Sequence, residues 1–529
     1  MFKRFISIIL VVALAASMVI VSSRDFDMES FNPEVQVPAE ETADAVPEDT
    51  IVLWYTDESL KEYINDAILS YRNDSGMKVI TELVPGVDYL EKINEVSIAD
   101  SSDIPAPDLY ITTHDNLMKA YLAGLASEVS NPNDIINASN FPDTSLHAIT
   151  CNGKYVGYPL YYETNFFLFN KTYMASIAQK AIDSQADLIE GQQSEAELKE
   201  KLEAGETPES AETVEVHENE EGNLVDENGN IISDGEDENP MGDEETTVDQ
   251  EVLDRLATMI PSTIEDVLTF ANNYEAPEAV EAVCKWDITD IFYNYFFVGN
   301  YLEVGGEDGD NNAIFNLYNQ QAVECLSAYQ GLNQYFSFDT DTESYDSILQ
   351  NFIDGKLVFT VATTDAIAKI TEAKANGEFE FDYGITVLPD MSELLKARGL
   401  SVTDVVAVNG YSEKKAAAND LATYLSFKTA DFMYNKSGKL PCKKNVTYEN
   451  NEIYNVMTEY EKSMPLPKMI EASNFWLQLE IALSQIWNGG EPDEILRALA
   501  DKIGGQIDEI TYSIPVQESI EIGGAGLFK

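Results

Sequence analysis

Basic side chains are scarce in this chain: 32 Lys and Arg stand against 94 Asp and Glu in 529 residues, a formal charge of −62. That balance argues against nucleic acid or an anionic membrane surface as partners, and against an anionic solute, because no basic cluster overrides the field. Histidine is nearly missing. His114, His147 and His217 are the whole supply, too little for a zinc hydrolase or a credible catalytic triad. Four cysteines, Cys151, Cys284, Cys325 and Cys442, show no C-x-x-C pair and no His at metal spacing. They read as buried free thiols, with a Cys284–Cys325 disulfide left open by an oxidising compartment. No cofactor and no metal are expected.

What is present is ample core material, 44% hydrophobic and 10% aromatic, in a chain too long for one core. Lys3-Arg4 precede an apolar run over residues 5–21, so residues 1–23 read as a secretory signal or an uncleaved anchor. Residues 24–49, rich in Pro, Glu and Ala without periodicity, read as a disordered tether. Ile51-Val-Leu-Trp-Tyr55 is a buried parallel-type strand, and Thr56-Asp-Glu-Ser59 supplies caps for a helix to about Arg72. Strands are expected again at 76–81 and 109–111. This β-α-β-α order predicts a parallel sheet with functional groups at the carboxyl ends of its strands.

Residues 178–250 break the pattern. This acidic stretch has no Lys or Arg between Leu202 and Gln250 and reads as a solvated insertion. A small hairpin is predicted over Asn228-Gly229. Asp226, Asn228 and Asn230 have the spacing of a calcium loop, but Ile231 stands where such a loop needs Gly. Order is expected to resume at Pro261.

One segment is more telling. Asn152-Gly153 is a type I′ turn dipeptide, followed by a short strand at 154–156, a Gly-Tyr-Pro step, Tyr161-Tyr162-Glu163, and a buried strand at 166–169 ending at Asn170-Lys171. That order resembles the lobe-crossing segment of extracellular solute-binding proteins of the maltose/maltodextrin type, which serve ABC importers. Ala120-Tyr-Leu-Ala-Gly-Leu-Ala126, Phe352-Ile-Asp-Gly-Lys356, Tyr383-Gly-Ile-Thr-Val-Leu-Pro389, Met464-Pro-Leu-Pro467 and Ser473-Asn-Phe-Trp476 extend the resemblance in the same order. It implies an α/β fold of two lobes (periplasmic-binding type II) joined by crossing strands, with the ligand cleft between them. The implied N-terminal lobe is 50–162 plus about 403–436. The C-terminal lobe is 163–402 plus about 437–510, with the acidic insertion inside it.

The resemblance also implies a site. Trp476 stands where an aromatic stacks on a sugar ring; Glu163 and Asp115 stand where cleft carboxylates accept hydroxyls; Glu58 lies near a further acidic position. Tyr162 adjoins the cleft carboxylate, and Tyr293 and Tyr295 surround the second-lobe stacking site. Departures are equally informative. Thr112 and Asp365 occupy two stacking-Trp positions and Ser59 a Lys position, so Asp365 becomes a hydroxyl partner with Thr364, and a different sugar or a smaller polar solute fits as well as a long maltodextrin. The implied mechanism is capture, not turnover, by an exported monomer that docks on the importer's membrane subunits. No cysteine precedes Cys151, so a lipid anchor is not expected. Two other readings stay open: a surface sensing or adhesion protein on the same fold, and a glycoside hydrolase using a pair such as Asp115 and Glu163.

Overall fold

The computed structural model describes residues 49–98, 104–185, 250–336, 343–470 and 474–506, residues 47 and 338, and three short strands within 217–233. The leader, most of the tether, the calcium-like spacing at 226–230 and most of the insertion lie outside the described residues. Among the described residues no helix is long and apolar enough to cross a membrane.

Ten strands form the main sheet, whose spine runs Ala282–Lys285, Leu357–Thr363, Tyr158–Asn170, Leu400–Val408, Leu109–Thr113, Thr50–Tyr55, Lys78–Leu83. Thr50–Tyr55 is parallel to both of its neighbours, as the β-α-β-α order requires, and every residue in it is buried. A parallel strand covered on both faces has to be apolar throughout, which is why its sequence reads as an unbroken run. The helix Lys61–Ser75 follows a 3-10 turn, Glu58–Leu60, capped by Asp57, whose carboxylate accepts from Ser59 N at 2.9 Å. The second strand starts two residues later than its expected position at 76, because Gly76 adopts φ 76° as the cap of that helix.

Asn152 and Gly153 both have positive φ, 51° and 74°, and close a hairpin between Thr150–Cys151 and Lys154–Tyr155, as their type I′ chemistry predicts. Beyond it the strand expected at 166–169 is longer than that. Tyr158–Asn170 is one strand of 13 residues with Pro159 inside it. Pro159 is tolerated because the register with Leu400–Val408 shifts there, between Asp404 and Val405, so the missing N–H falls at an irregularity. The early part of this strand pairs with Leu400–Val408 and Leu440–Pro441, the later part with Leu357–Thr363 and Tyr383–Thr386.

Alternation along the strand feeds different cores. Phe167 and Phe169 join one apolar cluster, Phe166 and Leu168 another, and Tyr158, Leu160 and Tyr161 a third that contains the first strand. Phe167 stacks on Phe359 at 5.3 Å across the strand pair.

The expected start of the insertion is corrected. Residues 171–185 are helical and Ala178 is fully buried in the core. Order also resumes before Pro261, with the helix Gln250–Ala257, which buries Val252 and Leu256. Leu224–Val225 does pair with Ile231–Ser233, the hairpin expected over Asn228-Gly229, and His217–Glu218 adds a third strand. All four cysteines are free and buried, so Cys284 and Cys325 do not pair; burial raises both thiols to about 12.

Candidate functional site

A cavity of about 660 Å³ opens where the crossing strands meet the second half of the sheet. Glu163, Leu400 and Val402 form its floor. The loop over Asp290–Tyr293, the turn Thr363–Asp365 with Lys369, and Trp476 form its walls.

The 287–294 loop is fixed by its own polar groups. Asp290 accepts from Phe292 N at 2.8 Å, and Asn294 Nδ2 donates to the carbonyls of Asp287 and Asp290. Trp286 Nε1 in turn donates to Asn294 Oδ1 at 3.0 Å. This holds Asp290, Phe292 and Tyr293 toward the cavity. Tyr293 stacks on Tyr345 with centroids 4.8 Å apart. The Tyr345 hydroxyl donates to Asp365 Oδ1 at 2.6 Å and the Thr363 hydroxyl donates to the same oxygen. Lys369 bridges Asp346 at 2.7 Å and Asp365 at 2.8 Å. Burial opposes ionisation of Asp365, but the hydrogen bonds from Lys369, Thr363 and Tyr345 outweigh it and lower its pKa. Asp290, which keeps part of its surface in solvent, has only the hydrogen bond from Phe292 N. Partial burial outweighs it and raises the pKa, and neighbouring Asp287 adds to the rise.

Trp476 stands in the first turn of Phe475–Trp487, half-buried and edge-on to Tyr295 at 5.5 Å. At the floor, Lys439 lies between Asp57 at 3.0 Å and Glu163 at 3.1 Å, and over the Tyr161 ring at 5.1 Å. Asp404 is buried beside them. Burial raises its pKa well above the carboxylate range, and the charge of Glu163 pushes the same way.

The structure therefore brings Glu163, Tyr293, Asp365 and Trp476 onto one cavity, with Thr364 beside them. Tyr162 and Tyr295 do not line it. Tyr162 stacks flat on Tyr460 at 4.0 Å inside the core, because neighbouring strand residues face opposite ways and the Glu163 side carries Tyr161. Tyr295 is 2% exposed and supports Trp476 from behind. Asp115 and Glu58 sit in 3-10 turns after the third and first strands and do not line the cavity. Asp115 Oδ1 is buried with no hydrogen-bond partner.

Sequence reasoning missed Asp290, Phe292, Tyr345, Lys369, Lys439 and Asp404. For Asp404 a signal existed, since it is the one charged residue within Leu400–Val408. Asp290 showed only as a cap residue before aromatics, and Tyr345 and Lys369 reach the site through tertiary packing alone. A second cavity of about 620 Å³ lies elsewhere, between Lys171, Lys374, Tyr383 and Glu452. Its lysines are paired with Glu452 and Asp382, and Tyr383 is its one ring, so it lacks the joined aromatic and acidic walls.

No protein-family pattern and no curated protein sequence matches the chain. Solved structures do. An extracellular solute-binding protein from Staphylococcus aureus in complex with maltose has TM-score 0.62 and 18% identity over 87% of this chain and 98% of that one. A cyclo/maltodextrin-binding protein complexed with maltotetraose gives 0.60 and 15% over 88% and 99%. The maltose-binding periplasmic protein of Listeria monocytogenes, in complex with maltose, gives 0.60 and 17% over 87% and 97%. The crossing strands, the curled mixed sheet and these superpositions agree: the chain has the two-lobed α/β fold of the maltose- and maltodextrin-binding extracellular solute-binding proteins.

Proposed function

We propose that the protein is an exported solute-binding protein that captures a carbohydrate by closing its two lobes and delivers it to an ABC importer. The observation that carries this reading is the single cavity in which the aromatic faces of Trp476, Tyr293 and Phe292 meet the carboxylates of Asp290, Asp365 and Glu163. Pyranose rings present an apolar C–H face and a rim of hydroxyl donors, and this wall offers a partner for each. A ligand without the matching hydroxyls would leave those carboxylates unpaired on closure, which is the basis of selectivity.

In this reading residues 50–162 with about 403–436 make one lobe, and 163–402 with about 437–510 the other. The strands between them act as the hinge, and solute binding shifts the population toward the closed form; such hinge closure is a behaviour general to periplasmic binding proteins. The site binds and releases without bond-making. The leader places the monomer outside the membrane, and both lobes face the importer's membrane subunits.

A thermal-shift screen of the purified protein against mono- and oligosaccharides, with polyols and amino acids as controls, tests the proposal. A saturable rise in Tm with one saccharide class is expected, because binding to the native state alone stabilises it by mass action. Trp476→Ala should weaken that ligand by roughly 30-fold, about 2 kcal/mol for a lost stacking face and its buried area. A cooperatively unfolding protein whose Tm is indifferent to every saccharide would overturn the reading.

A further inference from the structure

We infer that the solute is an amino sugar carrying a free, protonated amine, alone or in a short oligomer, and that Asp290 is its counter-charge. This rests on the saccharide reading of the cavity and narrows it.

Four carboxylates, Glu163, Asp290, Asp346 and Asp365, line the cavity against one ammonium, Lys369. The chain as a whole is acidic, so neither the count nor a missing partner decides by itself; the place of Asp290 on the cavity wall, among aromatic rings, does. Lys369 is already engaged by Asp346 and Asp365, and Glu163 shares Lys439 with Asp57. Asp290 makes no ion pair among the described residues; its carboxylate accepts from Phe292 N. Beside it on the same wall stand the rings of Phe292, Tyr293 and Trp476. An unpaired carboxylate next to aromatic faces attracts an ammonium group, through charge and through the rings' quadrupoles.

Closure sharpens the requirement. The turns after the first and third strands carry Asp57, already paired with Lys439, and Glu58 and Asp115. Bringing these toward Asp290, Asp365 and Glu163 expels water and raises like-charge repulsion. A neutral sugar can donate hydrogen bonds but leaves the charge in place. A protonated amine between the walls cancels part of it, so it binds the closed form better than the open form, which is the condition for driving closure.

Calorimetric titration of the whole protein with glucosamine oligomers, their N-acetylated counterparts and maltooligosaccharides of equal length, at mildly acidic pH and low salt, tests this. The free amine should bind at least roughly 10-fold tighter than the acetylated sugar, and the margin should shrink severalfold in high salt. Asp290→Asn should remove the margin, so that the free amine and its acetylated counterpart bind alike. Neutral sugars binding as tightly as amines, or Asp290→Asn weakening both alike, overturns the inference and leaves the proposed function standing. Binding of a linear polyamine with no saccharide bound, or of nothing in the panel, overturns both.

Discussion

Glu459→Gln is expected to raise the stability of the protein by about 3 kcal/mol above pH 8 and by almost nothing below pH 4. Glu459 lies on the helix Ile453–Lys462, 3% exposed, with one oxygen accepting from Leu388 N at 3.0 Å. Burial raises its pKa from 4.5 to about 7, and the Leu388 hydrogen bond and Lys462 recover only part of the cost of ionising it. The sign follows from which state holds the proton. Between about pH 4.5 and 7 the unfolded chain has released it and the native state has not, so native stability falls as pH rises through that window. Gln keeps an acceptor for Leu388 N and cannot ionise, so the variant escapes the loss. Thermal unfolding of both proteins across the pH range checks this, and an offset that stays constant with pH would sink it. His114 titrates with the opposite slope. It is fully buried, its Nδ1 accepts from Thr403 N at 3.0 Å, and its other ring nitrogen meets Leu466 O at 3.0 Å. Burial first, then Lys468, lowers its pKa from 6.5 to about 4, so its contribution is lost as pH falls from 6.5 toward 4. With Glu459 removed, that acid-side loss should stand out.

The second large effect is expected at Lys439. Lys439→Met should cost about 3 kcal/mol near neutral pH. Removing one partner of a buried ion pair costs about 3–5 kcal/mol, and the 41% exposure of the Glu163 side chain allows water to relieve part of that. Three carboxyl groups converge on this ammonium: Asp57, Glu163 and, more remotely, the buried Asp404. Burial works against the charge on Lys439, but Glu163 and Asp57 outweigh it and raise its pKa. That stability is present below the ordinary lysine value and disappears as pH rises through the folded one. On the acid side, burial opposes ionisation of Asp57, yet hydrogen bonds from Ser59 and Lys439 lower its pKa, so its share is present above the ordinary value and is lost as pH falls through the lowered one. The penalty in Lys439→Met should therefore be largest between these limits and shrink in acid, where the carboxylates protonate. Denaturant unfolding of both proteins at acid and neutral pH reads it directly. An equal penalty at both would show that the fit of the side chain, and not its charge, supports the site.

Much of the fold was legible because local chemistry and tertiary role coincide in it. The apolar run at Thr50–Tyr55 is buried on both faces, Asn152-Gly153 has no better use than a type I′ turn, and the blocks at Tyr383 and Met464 both supply strands of the main sheet. The site was less legible. Trp476, Tyr293, Asp365 and Glu163 share a cavity, but Tyr162 was placed by adjacency to Glu163, when the period of a strand puts Tyr161 on that side. Tyr295 looks no different from Tyr293 in sequence. Both rings are buried, and only tertiary packing decides that Tyr293 lines the cavity while Tyr295 sits behind Trp476. Asp290 gains its meaning from what fails to pair with it, which depends on where Lys369 and Lys439 already stand.

The strand Tyr158–Asn170 gives one end to each half of the sheet. Neither lobe can unravel without stripping a central strand from the other, so thermal damage begun in one spreads to both. Under the proposed function, a solute gripped at Glu163, near the middle of that strand, would accordingly defend the whole molecule. Protease resistance gained at the cleft should extend to the far edge of either lobe.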